Sequence, residues 1–392
     1  MSVTLYLGGE GSEAIPWPDD PAGRFAKHYL TPILANGTRW VAPNVDAELG
    51  VALVGEHVVP FTWSKGDAAL ERRAADDNSY VVSPRNHFIT YGAEEIGKLD
   101  APVLVPLLRA VVAGLGWGLG RAGFDDVVYV NNWLLSTSLY PAWRPQDGVH
   151  LLRALVERFQ GRAIVFRSLD VRTQRPLAEA LVCAGAHLVF SRRVLFQEPR
   201  APGVTRRSDY RKDAKLLRAA LDRDDYRVVP THALTEAQLC RAHALYGRLY
   251  VEKWSRHNPR FELAYLRHVL LQRLLEGQAL VTPEGRLDAM YASWTRGRIT
   301  YAPILGYDTH LPQRLGLYRM ISALSSLDAA ERDWLIHDSA GVSDFKQNRG
   351  ALPSLEHLAI YDAHLPRHRR PFRALGQLMN HVAVPIIERY DL

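Results

Sequence analysis

Sulfur is scarce in this chain, with two cysteines and four methionines in 392 residues. Two cysteines, Cys183 and Cys240, cannot build a disulfide framework or a cysteine-only metal site. Both fall in apolar helical sequence, where a small buried thiol is expected. Lysine is scarce too, at seven of the 48 basic residues, so the net charge of +6 is carried mainly by arginine. That surplus permits an acidic partner such as a phosphorylated cofactor, RNA or an anionic lipid, and selects none of them. Long apolar runs are missing. The most apolar stretch, 103–120, contains Pro106 and Arg109 and fits a buried helix better than a membrane span. The first residues lack a basic start and soon reach Gly8, Gly9 and Gly11, which is not a secretory signal, so a cytoplasmic location is expected. Ser343 and Lys346 fit Ser-x-x-Lys, but without Ser-Asp-Asn or Lys-Thr-Gly elsewhere they do not make a penicillin-recognising site. His364 and His368 enclose Pro366 and Arg367, so no metal is expected there.

What is present reads as an ordinary globular protein, 47% hydrophobic and 23% charged. Its length exceeds that at which single cores stop growing, so two domains are expected, over 1–200 and 205–392. The first 50 residues are rich in Gly, Pro and Asp, with a short helix near 25–34. Residues 51–54 and 57–63 flank Gly55 and Glu56 and form a hairpin. Residues 80–82 and 87–91 are β-forming, 102–120 a helix, and 126–130, 163–167 and 187–196 strands. Pro176 opens a helix that ends near Gly185. Residues 198–204, rich in Pro and Gly, are the best linker. After them come a basic amphipathic helix over 208–221 and a strand over 226–230. Thr235 and Gln238 make a capping box for a helix reaching Tyr250. A helix over 261–275 and a strand over 279–282 follow, then a hairpin of 287–294 with 299–305. The tail from Pro371 is a closing helix interrupted at Pro385. Helix, glycine and strand recur in both halves, ending at Gly185 and Gly350, which suggests a tandem pair.

The stretch 298–350 organises the rest. A strand over 299–305 is followed by a turn, a helix from about Gly316 to Leu327, and a second strand over 334–338. Its turn reads Gln313, Arg314, Leu315, Gly316, Leu317, Tyr318. Backbone amides at such a helix start can hold an anion, and Gly316 permits close approach. Pro303 cannot donate to a ladder and marks an edge, a bulge or a splayed pair. The segment then closes on Phe345, Lys346 and, four residues later, Gly350.

In order and motifs this stretch resembles the acyl-CoA-binding core of GNAT-superfamily acyltransferases, and its Phe-Lys-x-x-x-Gly ending resembles the Fem-like branch. The turn matches Gln/Arg-x-x-Gly-x-Gly/Ala at its first four positions and departs at Tyr318, where the family has a small residue. The resemblance covers about residues 208–362. It implies an α+β protein of two tandem GNAT-like domains, each a mixed, mostly antiparallel sheet flanked by helices. The second domain would be catalytic and the first a non-catalytic, substrate-shaping partner. The implied activity is N-acyl transfer from an acyl-CoA, acetyl-CoA foremost, to a small-molecule or peptide amine. Two alternatives stay open: a Fem-like transferase using aminoacyl-tRNA, and a GNAT fold that has lost its chemistry and serves as a binding module. Gln313, Arg314, Leu315 and Gly316 would bind the donor pyrophosphate. Lys346 would lie near the donor or the growing negative charge, with Phe345 buried beside it.

Amine acylation needs a base, a polarised carbonyl and an acid for the leaving thiolate. Asp338 and His337 are the base candidates; because side chains alternate along a strand, only one faces the groove. Tyr301 and Tyr307 are the acid candidates. In the first half, the polar stretch 131–138 after a strand either lines a substrate cleft or is a turn held by its own side chains.

Overall fold

The computed structural model describes residues 2–9, 11–64, 77–90, 114 and 124–380. The helix expected over 102–120 (save Gly114), Tyr91 and the interruption at Pro385 lie outside them. In chain order the elements are β1 (Val3–Tyr6), α1 (Pro21–Asn36), β2 (Glu48–Val54), β3 (His57–Trp63), β4 (Val127–Val130), α2 (Pro145–Arg158), β5 (Ala163–Asp170), α3 (Arg175–Cys183) and β6 (His187–Gln197). A single helical turn, Pro202–Thr205, leads to α4 (Ser208–Asp222), β7 (Arg227–Pro230), α5 (Glu236–Tyr246), α6 (Leu263–Leu271), β8 (Glu276–Val281), β9 (Leu287–Arg296) and β10 (Ile299–Tyr307). Then come α7 (Leu317–Glu331), β11 (Leu335–His337), α8 (Ser343–Gln347), β12 (Leu352–Tyr361) and α9 (Pro371–Leu378).

These elements form two compact units that interleave in sequence. The first holds Met1–Ser191, Ser255–Arg260 and Glu356–Leu392; the second holds Arg192–Trp254 and Phe261–Leu355. The segment 198–204 lies within the second.

In the first unit the strand order is β1-β2-β3-β4-β5-β12-β6. β1–β2, β2–β3, β3–β4 and β5–β12 pair antiparallel, and β4 pairs β5 in parallel. The β2–β3 hairpin closes at Val54 opposite His57 around a two-residue loop. Both faces of β4 and β5 are covered. Val128, Val130, Ile164 and Phe166 pack with Leu151, Leu155 and Leu181 of α2 and α3, while Val127, Tyr129, Ala163 and Val165 pack with Phe124 and Phe372. Such strands read as continuous apolar runs because neither side meets water.

In the second unit the order is β6-β11-β10-β9-β8-β7, again antiparallel except for one pair, β10 with β11. α7 makes the crossover between those two parallel strands. It packs with α4 on Leu280, Ala289 and Tyr291. Both units are thus mixed, mostly antiparallel sheets flanked by helices, and each has a parallel pair joined by a helix. The architecture is α+β in tandem.

Four local expectations are corrected. Residues 86–90 form a π-helix, not an extended stretch. The helix capped by Thr235 and Gln238, whose reciprocal bonds are 3.3 and 3.0 Å, ends at Tyr246 and continues as a π-helix over Gly247–Trp254. The opening 50 residues include β1 and a 16-residue α1, started by Pro21 and capped where Asp20 accepts from the Gly23 amide at 2.6 Å. Cys183 and Cys240 are exposed, because α3 buries Leu177, Ala178 and Leu181 and α5 buries Leu239, Ala242 and Leu245.

Candidate active site

Helix α7 begins at Gly316, which sits in the left-handed region at φ 70°, after a 3-10 turn over Gln313–Leu315. The Leu315 amide bonds the Pro312 carbonyl and the Gly316 amide the Gln313 carbonyl, both at 3.0 Å. Two of the amides assigned to the donor are therefore satisfied within the turn. The first turn of α7 itself still presents its unpaired amides. Glycine at 316 has a reason independent of any ligand. A Cβ there would lie 2.6 Å from Leu216 Cδ2 of α4. Gly316→Val therefore meets both the wrong backbone region and α4, with an expected loss of about 1–3 kcal/mol in urea denaturation. An unchanged denaturation midpoint would show that neither constraint operates.

Strands β10 and β11 pair only at Ile299 with Leu335 and Thr300 with Ile336, and then part. Two features open this fork. Along β10 the register against β9 shifts between Tyr301 and Ile304, so Pro303 sits at a bulge, past the last residue paired with β11. Beyond Ile336 the chain follows β6 instead, with the Asp338 amide on Leu195 O at 2.8 Å and the Leu195 amide on Ser339 O at 3.0 Å.

The fork separates the candidate side chains onto two faces. Tyr301, 3% exposed, lies edge-on to His337 with ring centres 5.9 Å apart, and Phe196 covers the other side of that imidazole at 4.7 Å. His337 Nδ1 accepts the Ser339 amide at 3.2 Å, which leaves the proton of a neutral ring on Nε2. Tyr307 belongs to the α7 face. It stands 5.6 Å from the ring of Tyr318, which in turn stands 4.6 Å from Phe345. Burial raises the Tyr318 phenol above its usual pKa, and the Asp338 charge adds to this. Its hydroxyl makes no hydrogen bond among the described residues. Asp338, Tyr307 and Lys346 are thus brought together around Tyr318, and Tyr301 is grouped with His337. Sequence reading treated Tyr318 only as a departure from a motif. A bulky ring one step into the helix was the signal available.

Lys346 is buried, at 8% exposure, and not a solvated surface lysine. Its ammonium donates to Asp338 O at 2.5 Å and Ala340 O at 3.1 Å, with Asp338 Oδ1 4.0 Å away. An ammonium has three N–H donors, so one remains for a ligand. Burial lowers the Lys346 pKa, with Asp338 opposing and Arg192 assisting. Burial likewise raises the Asp338 carboxyl, and Lys346 opposes that. Gly350, φ 89°, ends α8; a Cβ there would be 2.9 Å from Val204 Cγ2 and 3.0 Å from Gly203 O. Phe345 is half-buried, not fully packed, and carries the Arg349 guanidinium over its ring at 3.3 Å.

Arg349 belongs to an ion triad that fixes α8. Asp213 on α4, 1% exposed, accepts from Arg319 Nε at 2.6 Å and Arg349 Nε at 2.5 Å. Arg349 also donates to Phe345 O at 2.7 Å, and Gln197 to Arg349 O at 2.9 Å.

In the first unit the corresponding fork holds the chain's own residues. After Val130 the backbone turns at Asn131 and Leu134, both with positive φ, and all of 131–140 except Ser136 is buried. Asn132 donates to Thr62 Oγ1 at 2.7 Å and Val81 O at 2.9 Å and accepts from Arg167 at 2.7 Å. Asn131 accepts from Trp133 Nε1 at 2.9 Å, and Tyr140 donates to Arg167 O at 2.6 Å. The polar stretch is a turn held by its side chains. Among the described residues no three His, Cys, Asp or Glu converge to hold a metal ion, and no helix is long and apolar enough to cross a membrane.

Solved structures that resemble the chain at low identity include an L-PGS, FemX and a tandem GNAT protein. An L-PGS from Bacillus licheniformis is 12% identical, with 59% of this chain and 78% of that one covered at a TM-score of 0.43. FemX is 10% identical over 61% and 81%, at 0.45. A tandem GNAT protein from the clavulanic acid biosynthesis pathway is 10% identical over 93% and 99%, at 0.38. No protein-family model and no curated protein matches the sequence. With identities near a tenth and TM-scores below 0.5, these likenesses do not weigh on donor or acceptor.

Proposed function

We propose that the second unit is an N-acyltransferase that moves an acyl group from an acyl-CoA to the amine of a small molecule or peptide. The observation that carries this is the fork of β10 and β11, with a buried lysine N–H, a carboxylate and a helix N-terminus gathered at its mouth. In this reading the amine attacks the thioester carbonyl and gives up its proton to Asp338, whose pKa burial raises above the ordinary carboxylate range. The Lys346 ammonium donates to the oxygen as negative charge grows on it. The carbon–sulfur bond then breaks and the thiolate takes a proton from a tyrosine, Tyr307 being the one that shares the face of Tyr318. Gln313, Arg314, Leu315 and Gly316 would face the donor phosphates. The first unit, its fork filled from within, would shape the acceptor and perform no transfer.

One observation favours a second reading. The amides of Leu315 and Gly316 are taken, and Tyr318 stands where a small residue would admit a diphosphate. A donor without a diphosphate, such as an aminoacyl ester on tRNA, would avoid both obstacles. Thermal unfolding of the full chain with acetyl-CoA, longer acyl-CoAs and charged tRNA separates the readings, since a ligand at 100 times its Kd stabilises by about 2.7 kcal/mol. Stabilisation by acyl-CoA and its consumption with an amine is the expected result. Stabilisation by charged tRNA alone would transfer the assignment to the ester donor. Stabilisation by neither would leave a binding module and end the transferase reading.

A further inference from the structure

Lys346 has two partners where an ammonium has use for three. Its Nζ lies 2.5 Å from Asp338 O and 3.1 Å from Ala340 O, and Asp338 Oδ1, at 4.0 Å, is beyond hydrogen-bond reach. Among the described residues Nζ has no other polar partner. A protonated lysine carries three N–H donors and no acceptor, whereas the neutral amine carries two donors and one lone pair. Two carbonyls therefore satisfy the amine completely and the ammonium only in part. The turn that supplies them is wound for the purpose. Ser339, Gly341 and Val342 have positive φ, at 54°, 80° and 51°, and the carbonyls of residues 338 and 340 meet on one nitrogen. For a β-branched residue such as Val342 that conformation is rare and costly. The surrounding charges do not fix the proton either. Asp338, from the turn, favours the ammonium, while Arg192, from β6, and the burial of the side chain oppose it. Arg349 of the same helix is engaged by Asp213 of α4, and burial keeps the Tyr318 phenol of α7 neutral. Desolvated lysines whose ammonium is poorly held are the ones that act as nucleophiles.

We propose that Lys346 is also a nucleophile, whose amine takes the acyl group presented at the fork and is left as an Nε-acyl-lysine. The proposal rests on the transferase reading for the presence of an acyl thioester, and on the turn alone for the amine. The step needs no further reactant. The nitrogen lone pair attacks the carbonyl carbon, a carbon–nitrogen bond forms and the carbon–sulfur bond breaks. One proton leaves the nitrogen and passes by way of the Asp338 carboxylate to the thiolate, which departs as the thiol. The product amide keeps one N–H for one of the two carbonyls and carries no charge. The cation that steadies the growing oxyanion is then gone, so acylation switches transfer off. Two fates are thus divided by one proton. As ammonium, Lys346 assists transfer to an added amine; as amine, with no acceptor present to intercept the acyl group, it takes the group itself.

The test uses a thioester with no nucleotide to engage the donor turn, S-acetyl-N-acetylcysteamine, on the full chain between about pH 6 and 10. Acetylation is followed site by site by peptide mass spectrometry, with the exposed Lys215 of α4 as reference in the same molecule. Expected near neutral pH is a rate at Lys346 at least about tenfold that at Lys215, since each unit by which a lysine pKa falls raises its neutral fraction about tenfold there. In urea, with the turn lost, the two rates become equal. Asp338→Asn removes the charge that favours the ammonium and shifts the midpoint of the Lys346 pH–rate curve to lower pH; Arg192→Gln shifts it to higher pH. Circular dichroism establishes that each variant folds, and if one does not, the other and the urea comparison decide. A Lys346 rate at or below that of Lys215 at every pH in the folded chain would overturn the proposal. So would a midpoint that neither substitution moves. Acetyl-CoA with an added amine then separates the two readings. Acetylation of Lys346 without transfer to the amine counts against the transferase reading alone, and transfer with Lys346 unmodified throughout overturns the nucleophile alone.

Discussion

Replacing Lys346 with methionine will lower the transfer rate by about 10²–10³-fold, the usual cost of losing one donor to a developing oxyanion. Methionine keeps the length of the stem and removes all three N–H donors. Two of those now hold Asp338 O and Ala340 O, so the variant will also lose about 1–3 kcal/mol of stability through the stranded carbonyls. Asp338 will respond as well. Burial holds its carboxyl above the ordinary range and the Lys346 cation is the charge opposing that shift. Without the lysine the carboxyl will ionise at still higher pH. If Asp338 is the base, the acid limb of the residual pH–rate profile moves to higher pH. A Lys346→Met protein that unfolds at a lower urea concentration but turns over at the parental rate would reduce the lysine to a structural clamp.

The apolar pattern made most of the second unit legible. The hairpin of β9 and β10, the crossover α7 and the capping box of α5 follow from periodicity, turn residues and a Thr/Gln pair three apart. Pro303 fits the bulge, one of the three readings that its missing N–H left open. Helix α2 had no counterpart in the sequence reading, and Gly148 in its first turn is a poor helix former. Gly148 is small because Leu177 of α3 approaches it, at 2.4 Å from where a Cβ would be. That is a tertiary cause with no trace in local sequence. The candidate site divides the same way. Lys346 was visible through its motif, but its burial was not, since the carbonyls it binds sit on a turn with positive φ at Ser339 and Val342. The assignment of Tyr307 and Tyr301 to opposite faces depended on the register shift between them. Neither the sequence spacing nor the residue types could supply that.

Asp213 shows what a sequence cannot reveal, and it carries the largest expected stability effect. It lies inside a run of basic residues on α4 and reads as one more helix-surface acid. In the fold it is 1% exposed and binds two arginines that are 106 and 136 positions away. Asp213→Ala will destabilise by about 3–5 kcal/mol, because removing one partner of a buried ion pair leaves the other charge buried and uncompensated. The two arginines will not suffer equally. Arg319 is 42% exposed and can turn to water, whereas Arg349 is 10% exposed and is held over Phe345. Arg349→Met should therefore rescue part of the loss, and Arg319→Met should not. Urea denaturation of the two single variants and the two doubles measures this as a coupling energy. Since Arg349 and Lys346 lie on one short segment, activity should fall in Asp213→Ala and return partly in the Arg349→Met double. A loss below about 1 kcal/mol for Asp213→Ala would mean that the triad is a surface ornament of α4. Lys346 would then be held in place by its own carbonyl bonds and by Gly350 alone.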